Sequence, residues 1–215
     1  MRIGVLGTGI VGKTIAHKLA KLGHDVRMGS RTSGGEKAKA WVKEAGRKSS
    51  EGTFADAAMH GEIVFNCTSG IGSLDALKAA GEKNLQGKTL VDVANPLDFS
   101  KGMPPTLTVC NTDSLAEQIQ RAFPTANVVK TLNTVTAAMM VQPSIIPGAH
   151  TMFVSGNDEN AKAEVIDILK TGFGWREVID LGDIKGARAQ EMHLALWLRL
   201  YTRFQTPNVN VRVAF

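Results

Sequence analysis

The sequence predicts an α/β fold in which a doubly wound parallel sheet carries helices on both faces and ends in a C-terminal helical extension. Three observations predict it. The chain opens on an apolar run, Met1-Arg-Ile-Gly-Val-Leu6, followed at once by Gly7-Thr-Gly-Ile-Val-Gly12. Strand-like and helix-like segments then alternate along the chain, the pattern of parallel strands joined by helical crossovers. With 215 residues, 43% of them hydrophobic, the chain has the size and composition of one such unit. Residues 1–215 are therefore read as a single domain, with 184–215 as its terminal helix and tail.

Each element follows from its own residues. Met1–Leu6 forms the first strand. Val11, Ile15, Leu19 and Leu22 form one stripe of the next helix, opposite Lys13, His17 and Lys21, so His17 is expected to be a solvated surface residue. After the Gly23-His24 break, Asp25–Gly29 reads as the second strand. A helix over Glu36–Ala45 ends at Gly46. Ser49–Thr53 is a weak strand, Phe54–Met59 a short helix stopped by His60-Gly61, and Glu62–Asn66 a buried strand. Leu74–Ala80 is helical up to Gly81, and Thr89–Ala94 is the fifth strand, ended by Asn95-Pro96.

A loop containing Gly102 and Pro104-Pro105 leads to Ser114-Leu-Ala-Glu117, a capping-box pattern opening a helix that stops before Pro124. Asn127–Leu132, Thr151–Val154 and Arg176–Asp180 complete eight strands, with a helix from about Asp158 to Lys170 before the last. The terminal helix spans about Ile184 to Phe204. Met192, Leu194, Ala195, Leu196, Trp197, Leu198, Leu200 and Tyr201 cover nearly its whole circumference, which predicts burial on more than one side. The second side would meet a partner subunit or a ring-shaped ligand. Packing under the tail Pro207–Phe215 is the plainer alternative. Val209, Val211 and Val213 alternate there in the manner of an edge strand.

The functional signal is concentrated at the start. G-x-G-x-x-G between a strand and a helix is the fingerprint of a Rossmann-type dinucleotide site. Gly7 allows the tight turn, Gly9 lets the backbone approach a pyrophosphate, and Gly12 lets the helix pack close to the strand. The helix N-terminus offers free N–H groups and partial positive charge to the phosphates. Where NAD-preferring folds end the second strand in a carboxylate, this chain has Ser30-Arg31-Thr32. A carboxylate would repel a 2′-phosphate, whereas a guanidinium and two hydroxyls would hydrogen-bond to it. Lys37, after Ser33-Gly34-Gly35, offers a second cation. The expected cofactor is NADP(H).

Ligands of open sheets bind outside the carboxyl ends of the strands, where strand order reverses. The ends at Gly7–Gly12, Ser30-Arg31, Cys67–Gly72 and Asn95-Pro96 should line that crevice, and Asn133–Ala137 should approach the nicotinamide. Cys67 reads as a small buried hydrophobe rather than a nucleophile. Asn95 and Asn133 either hydrogen-bond the cofactor or simply finish their strands. No loop carries the spacing of an acid–base pair, so no catalytic residue is assigned. Hydride exchange between two stacked rings depends on alignment more than on proton transfer. A dehydrogenase acting on an alcohol would need a general acid or base. His150 and His193 are the remaining candidates, and His150 begins a strand away from the crevice.

The net charge of +5 is dispersed, with no basic stripe interleaved with aromatics, which argues against nucleic acid. Cys67 and Cys110 lack metal-ligand or disulfide spacing. The chain opens directly on a strand, without a leader pattern, and contains no run of ~18 apolar residues that would cross a membrane. A cytoplasmic protein is expected.

Together, G-T-G-I-V-G, G-S-R, V-D-V-A-N-P-L-D, K-T-L-N-T-V and the terminal L-W-L-R-L resemble the NADPH:coenzyme F420 oxidoreductase family. The bacterial NAD(P)-binding branch is the nearer likeness, and the cytosolic domain of the six-transmembrane ferric reductases is a cousin. The resemblance implies a homodimer that binds NADP(H) and exchanges hydride directly with a small-molecule redox partner, coenzyme F420 or a flavin (FMN or FAD). By the same resemblance, Thr8, Gly9, Ile10 and Val11 hold the pyrophosphate, and Ser30 with Arg31 the 2′-phosphate. Thr68, Ser69 and Gly72 face the adenosine or ribose side, while Asn95, Asn133 and Ala137 face the nicotinamide. Trp197 could wall the second ring. Family members that reduce the deazaflavin tend to carry a Pro-Trp-like pair where this chain has Ser69-Gly70. Two other functions compete: an NADPH-binding redox sensor or scaffold without turnover, and a hydroxyacid or imine reductase. The latter generally needs a larger helical domain than the residues after Val135 provide.

Overall fold

Residues Ile3 to Leu6 are buried without a break, so β1 (Arg2–Leu6) is a strand covered on both faces. The computed structural model describes residues 1–214; the end of the predicted tail, Phe215, lies outside them. From β1 the chain enters α1 (Ile10–Lys21), β2 (Asp25–Ser30), α2 (Glu36–Ala45), β3 (Ser49–Thr53), α3 (Phe54–His60) and β4 (Ile63–Asn66). α4 (Gly70–Ala80), the single turn α5 (Glu82–Leu85) and β5 (Thr89–Asp92) follow. A small hairpin, β6 (Leu97–Asp98) with β7 (Thr106–Leu107), precedes α6 (Leu115–Ala122), β8 (Asn127–Thr131) and α7 (Ala137–Val141). The chain finishes with β9 (Thr151–Gly156), α8 (Glu159–Asp167), β10 (Glu177–Asp180) and α9 (Ala187–Phe204).

Eight strands form one sheet in the order β10-β9-β8-β5-β4-β1-β2-β3. The order reverses between β1 and β4, which places the crevice above the glycine loop. Apolar side chains fill both faces. Ile15, Leu19, Trp41, Val165 and Trp175 pack on one side, and Ala57, Leu77, Leu115, Ile119 and Ile184 on the other.

The doubly wound sheet is as expected, and it is mostly rather than entirely parallel. Six strands are parallel, but β9 runs antiparallel to β8, with β10 parallel to β9. The reason lies in the connection. Between Thr131 and Thr151 the chain, including the five-residue α7 packed on α1, does not return to the start of β8 as a parallel crossover would, and β9 begins beyond the end of β8. The chain therefore turns round at the edge where β8 ends.

Four further expectations change. α4 begins at Gly70 rather than Leu74. The segment after Pro96, read as a loop, contains the β6–β7 hairpin. Among the described residues the tail adds no strand; it is tied to the start of β9 by Thr151 N–H donating to the Val211 carbonyl at 2.9 Å and by Asn210. Finally, α9 is not buried all round. It buries Ala187, Gln190, Glu191 and Leu194, while Met192, Leu196, Tyr201 and Phe204 are exposed.

Candidate functional site

The glycine loop has the geometry its sequence requires. Gly7 adopts φ 118°, a conformation that side chains disfavour, and donates its N–H to the Gly29 carbonyl at 2.9 Å. A Cβ on Gly12 would overlap the Gly7 carbonyl, whereas one on Gly9 would stand in open space. Gly9 caps α1 without a side-chain hydrogen bond. The first amide of the helix to reach a carbonyl is that of Lys13, at 2.9 Å from Gly9. The amides of Ile10, Val11 and Gly12 precede it and face the crevice end of α1 without a carbonyl of the helix.

At the end of β2, Arg31, Thr32 and Lys37 are exposed and Ser30 is half-buried. No carboxylate follows β2 in sequence, but one approaches from its neighbour. Glu51 on β3 accepts the Gly34 N–H with both oxygens, at 3.0 and 2.9 Å. The loop between Arg31 and α2 is thereby pinned to the sheet. The two hydroxyls expected here are not equally free. Ser30 Oγ donates to the Thr32 carbonyl at 2.6 Å, so it turns lone pairs outward and must swing to donate to a phosphate.

The end of β4 is organised by Asn66, which is fully buried. Its amide donates to Asp92 at 2.8 Å and to Ser73 at 3.1 Å, and its carbonyl oxygen accepts the Thr68 hydroxyl at 2.6 Å. Thr68 is thus committed to the protein rather than to a ribose. Ser69 is exposed and caps α4, and Gly72 lies in the first turns of that helix with its Cα facing the Ser69 hydroxyl. Gly70 is required sterically, because a Cβ there would overlap the Asn95 carbonyl. Burial, reinforced by the Asp92 charge, raises the Cys67 thiol far above its ordinary pKa, which fits the hydrophobe reading.

Asn95 and Asn133 clamp the ends of β5 and β8 to each other. Asn95 Nδ2 donates to the Asn133 carbonyl at 2.8 Å, and Asn133 Nδ2 donates to Asn95 Oδ1 at 2.9 Å and to the Gln190 carbonyl at 3.0 Å. Asn133 Oδ1 is buried and has no partner. Leu132, just before it, is buried at φ 65°, a strained conformation for a branched residue.

Beneath this clamp lies an ionic cluster that inspection of the loops does not reveal. Lys130 Nζ, fully buried, reaches Asp92 at 2.8 Å and Glu191 at 2.9 Å and also donates to the Ala94 carbonyl. Burial works against the ammonium, but the two carboxylates overcome it and hold its pKa above the ordinary value. Glu191 also accepts the Leu115 and Ala116 amides at 2.8 and 3.1 Å. The predicted capping box of α6 is therefore only half formed. Ser114 Oγ accepts the Glu117 amide, but the Glu117 carboxylate is held by Arg188 at 2.6 and 2.8 Å.

A cleft of about 630 Å³ opens above these residues. Of the predicted positions it gathers Val11, Cys67, Thr68, Ser69, Asn95 and Ala137, together with Ile71, Leu97, Asp98, Phe99 and Met140. Gly7–Ile10, Gly12, Ser30–Lys37, Gly72 and Asn133 lie outside its lining, and Pro96 is buried at the root of the β6–β7 hairpin. Trp197 does not line the cleft within this chain. It stacks on Tyr201 at 5.6 Å along α9, and its indole N–H is unpartnered. His150 is buried elsewhere, with Nε2 at 2.9 Å from the Pro143 carbonyl and Nδ1 at 2.9 Å from Asn210. His193, half-buried on α9, has its pKa lowered by desolvation and is not part of the cleft. The loops gave no sign of Glu51, Asn66 or Phe99. Asp92, Lys130 and Glu191 did leave a signal, since each is a charge set within an apolar strand or helix.

Fold and glycine loop together define the class: a dinucleotide-binding α/β protein. A family model described as NADP oxidoreductase, coenzyme F420-dependent, matches residues 2–96. A crystal structure from Arthrobacter sp. FB24, provisionally described as an F420-dependent NADP-reductase, is 52% identical, with a TM-score of 0.96 and 100% of each chain covered. Metalloreductase STEAP3 of Rattus norvegicus is 28% identical over 214 residues, 97% of this chain but only 38% of that protein's length. A reductive aminase from Aspergillus terreus shares the fold alone, at 19% identity and a TM-score of 0.67, over 95% of this chain and 62% of that one. The chain belongs to the coenzyme F420-dependent NADP oxidoreductase family. Among the described residues no helix is long and apolar enough to cross a membrane.

Proposed function

We propose that the chain binds NADP(H) across the crevice and exchanges a hydride directly between its nicotinamide and a coenzyme F420 or flavin ring. The observation that carries this reading is the buried, unpartnered Asn133 Oδ1 just past the end of β8, beside the cleft-lining Asn95. A buried acceptor without a donor is costly, and the carboxamide of a nicotinamide supplies one. The open approach at Gly9 and the free amides of α1 fit a pyrophosphate. Arg31 and Lys37 fit the 2′-phosphate. When bound, the dinucleotide supplies the hydride. The chain orients the ring through Asn133, which Asn95 and Gln190 hold in place. Val93, Val135 and Met140 line the cleft with apolar surface and limit the access of water.

Among the described residues the titratable side chains lining the cleft are Cys67 and Asp98, and transfer controlled by alignment needs no acid–base pair. The exposed apolar side chains of α9 support a homodimer, which light scattering would detect. Titration with NADPH and NADH, followed by steady-state oxidation of NADPH with coenzyme F420, FMN, FAD and ferric chelates, tests the whole reading. NADPH should bind more tightly than NADH, and a ring acceptor should turn over. Tight NADPH binding without any turnover would favour a sensor instead.

A further inference from the structure

The identity of the surface that receives the second ring is open, because the terminal helix does not reach the cleft. Two other elements do. Phe99, at the tip side of the β6–β7 hairpin, lines the cleft and is 56% exposed. Ile71, in the first turn of α4, lines the same cleft and is 75% exposed. Among the described phenylalanines only Phe99 and Phe204 stand out into solvent in this way. Apolar side chains from two separate elements that share one cleft mark a binding surface more strongly than scattered exposed residues do.

Both walls are built on one base. A side chain at Gly70 would overlap the Asn95 carbonyl, so α4 packs directly against the Asn95-Pro96 backbone. The hairpin springs from that same dipeptide, with Leu97 N–H donating to Asn95 and Thr108 N–H to Pro96, each at 2.8 Å. The spacing of Ile71 and Phe99 is therefore tied to the backbone that carries the Asn95–Asn133 clamp.

The charge of the lining narrows the ligand further. Among the described residues that line the cleft, Asp98 is the one carboxylate and none is Lys or Arg. Ser100 donates its backbone N–H at 2.8 Å and its hydroxyl at 2.9 Å to Asp98, which keeps that carboxylate ionised. An anionic tail would find no counter-charge here and would meet Asp98.

We propose that Phe99 and Ile71 form the seat of the acceptor ring, and that this seat takes the face of a flat, uncharged ring while any anionic tail stays in solvent. The inference rests on the nucleotide reading above. In the transfer, the C–H bond at C4 of the reduced nicotinamide breaks, and its hydride forms one new bond on the oxidised ring of a flavin or deazaflavin. The dinucleotide is left oxidised and the ring reduced by two electrons. The proton that completes the reduced ring comes from water at the cleft mouth, since ionised Asp98 has none to give.

Riboflavin and FMN share one ring and differ in a phosphate, so they serve as probes with the NADP⁺-saturated protein. Flavin fluorescence quenching should saturate for both, with dissociation constants within about threefold of each other, because no cation rewards the phosphate. Phe99→Ala should weaken both by roughly 3- to 10-fold, the size of one aromatic contact, and Phe99→Trp should restore them. The affinity for NADP⁺ and the melting temperature should stay as in the wild type. Riboflavin binding more than tenfold weaker than FMN, no saturable quenching, or an unchanged Phe99→Ala would each overturn the seat. Failure of NADP⁺ itself to bind would instead overturn the nucleotide reading on which the seat depends.

Discussion

Replacing Glu191 by alanine tests whether α9 is anchored by charge rather than by apolar packing. The carboxylate is 1% exposed and serves three donors: Lys130 at 2.9 Å, Leu115 N–H at 2.8 Å and Ala116 N–H at 3.1 Å. Its loss leaves two buried amides at the head of α6 without an acceptor, at about 1–3 kcal/mol each. It also leaves Lys130 with Asp92 as its one carboxylate, and breaking a buried pair by removing one partner costs about 3–5 kcal/mol. These effects share the same atoms and do not add. Because Asp92 remains at 2.8 Å, the net loss should fall at about 3–5 kcal/mol, a large part of a typical ~5–15 kcal/mol. Glu191→Gln retains an oxygen for an amide but no charge, and should lose roughly 1–3 kcal/mol. Equilibrium unfolding in urea measures both, with the midpoint falling at unchanged slope. A loss below about 1 kcal/mol for the alanine variant, or a glutamine variant no better than alanine, would refute the argument.

Other expectations follow from the same geometry. Arg31→Glu should weaken NADPH by roughly 10- to 100-fold, as charge-assisted bonds to a phosphate are worth about 1.5–3 kcal/mol, and should leave NADH nearly unchanged; equal losses in a paired titration would remove the assignment. Glu51→Ala frees the Gly34 amide and should erode the preference for NADPH through KM, whereas Glu51→Gln, still an acceptor, should keep it. An alanine variant that bound NADPH more tightly would show that Glu51 acts by repulsion rather than by positioning. Arg121 hydrogen-bonds Asp113 and lowers its pKa to about 2, and Arg188 likewise lowers that of Glu117. Carboxylates depressed in the folded state stabilise above their unfolded values of ~4. The urea midpoint should therefore hold from neutrality to about pH 5 and fall as the pH drops toward 2, less steeply in Glu117→Gln. Iodoacetamide should label exposed Cys110 and spare Cys67 in the native protein; mass spectrometry showing Cys67 modified first would contradict its raised pKa.

Much of the fold was legible because its signals are local. The run from Met1 to Leu6, the stripe of α1 and the glycine spacing each report on residues within a few positions of one another. The same holds for Ser30-Arg31-Thr32, where a missing carboxylate is visible in the chain itself. The antiparallel turn at β8–β9 was not legible, because direction depends on which end of β8 the connection returns to, and nothing local to Thr151–Val154 states it. The terminal helix misled for a related reason. Its apolar residues suggested burial, yet it is anchored through Gln190, Glu191 and Arg188, whose partners lie 35 to 76 positions away in sequence.

The sequence alone determined the glycine turn between a strand and a helix and the basic, carboxylate-free end of the second strand, since turn geometry and charge at a strand end are properties of adjacent residues. Only the tertiary structure decided how the far end of the crevice is built. It paired Asn95 with Asn133 across 38 positions and set Lys130 between Asp92 and Glu191. It also carried Phe99 and Ile71 into one cleft and kept Trp197 out of it. Those groups are distant along the chain, and they meet because burial makes an unpaired charge or amide too costly to leave alone.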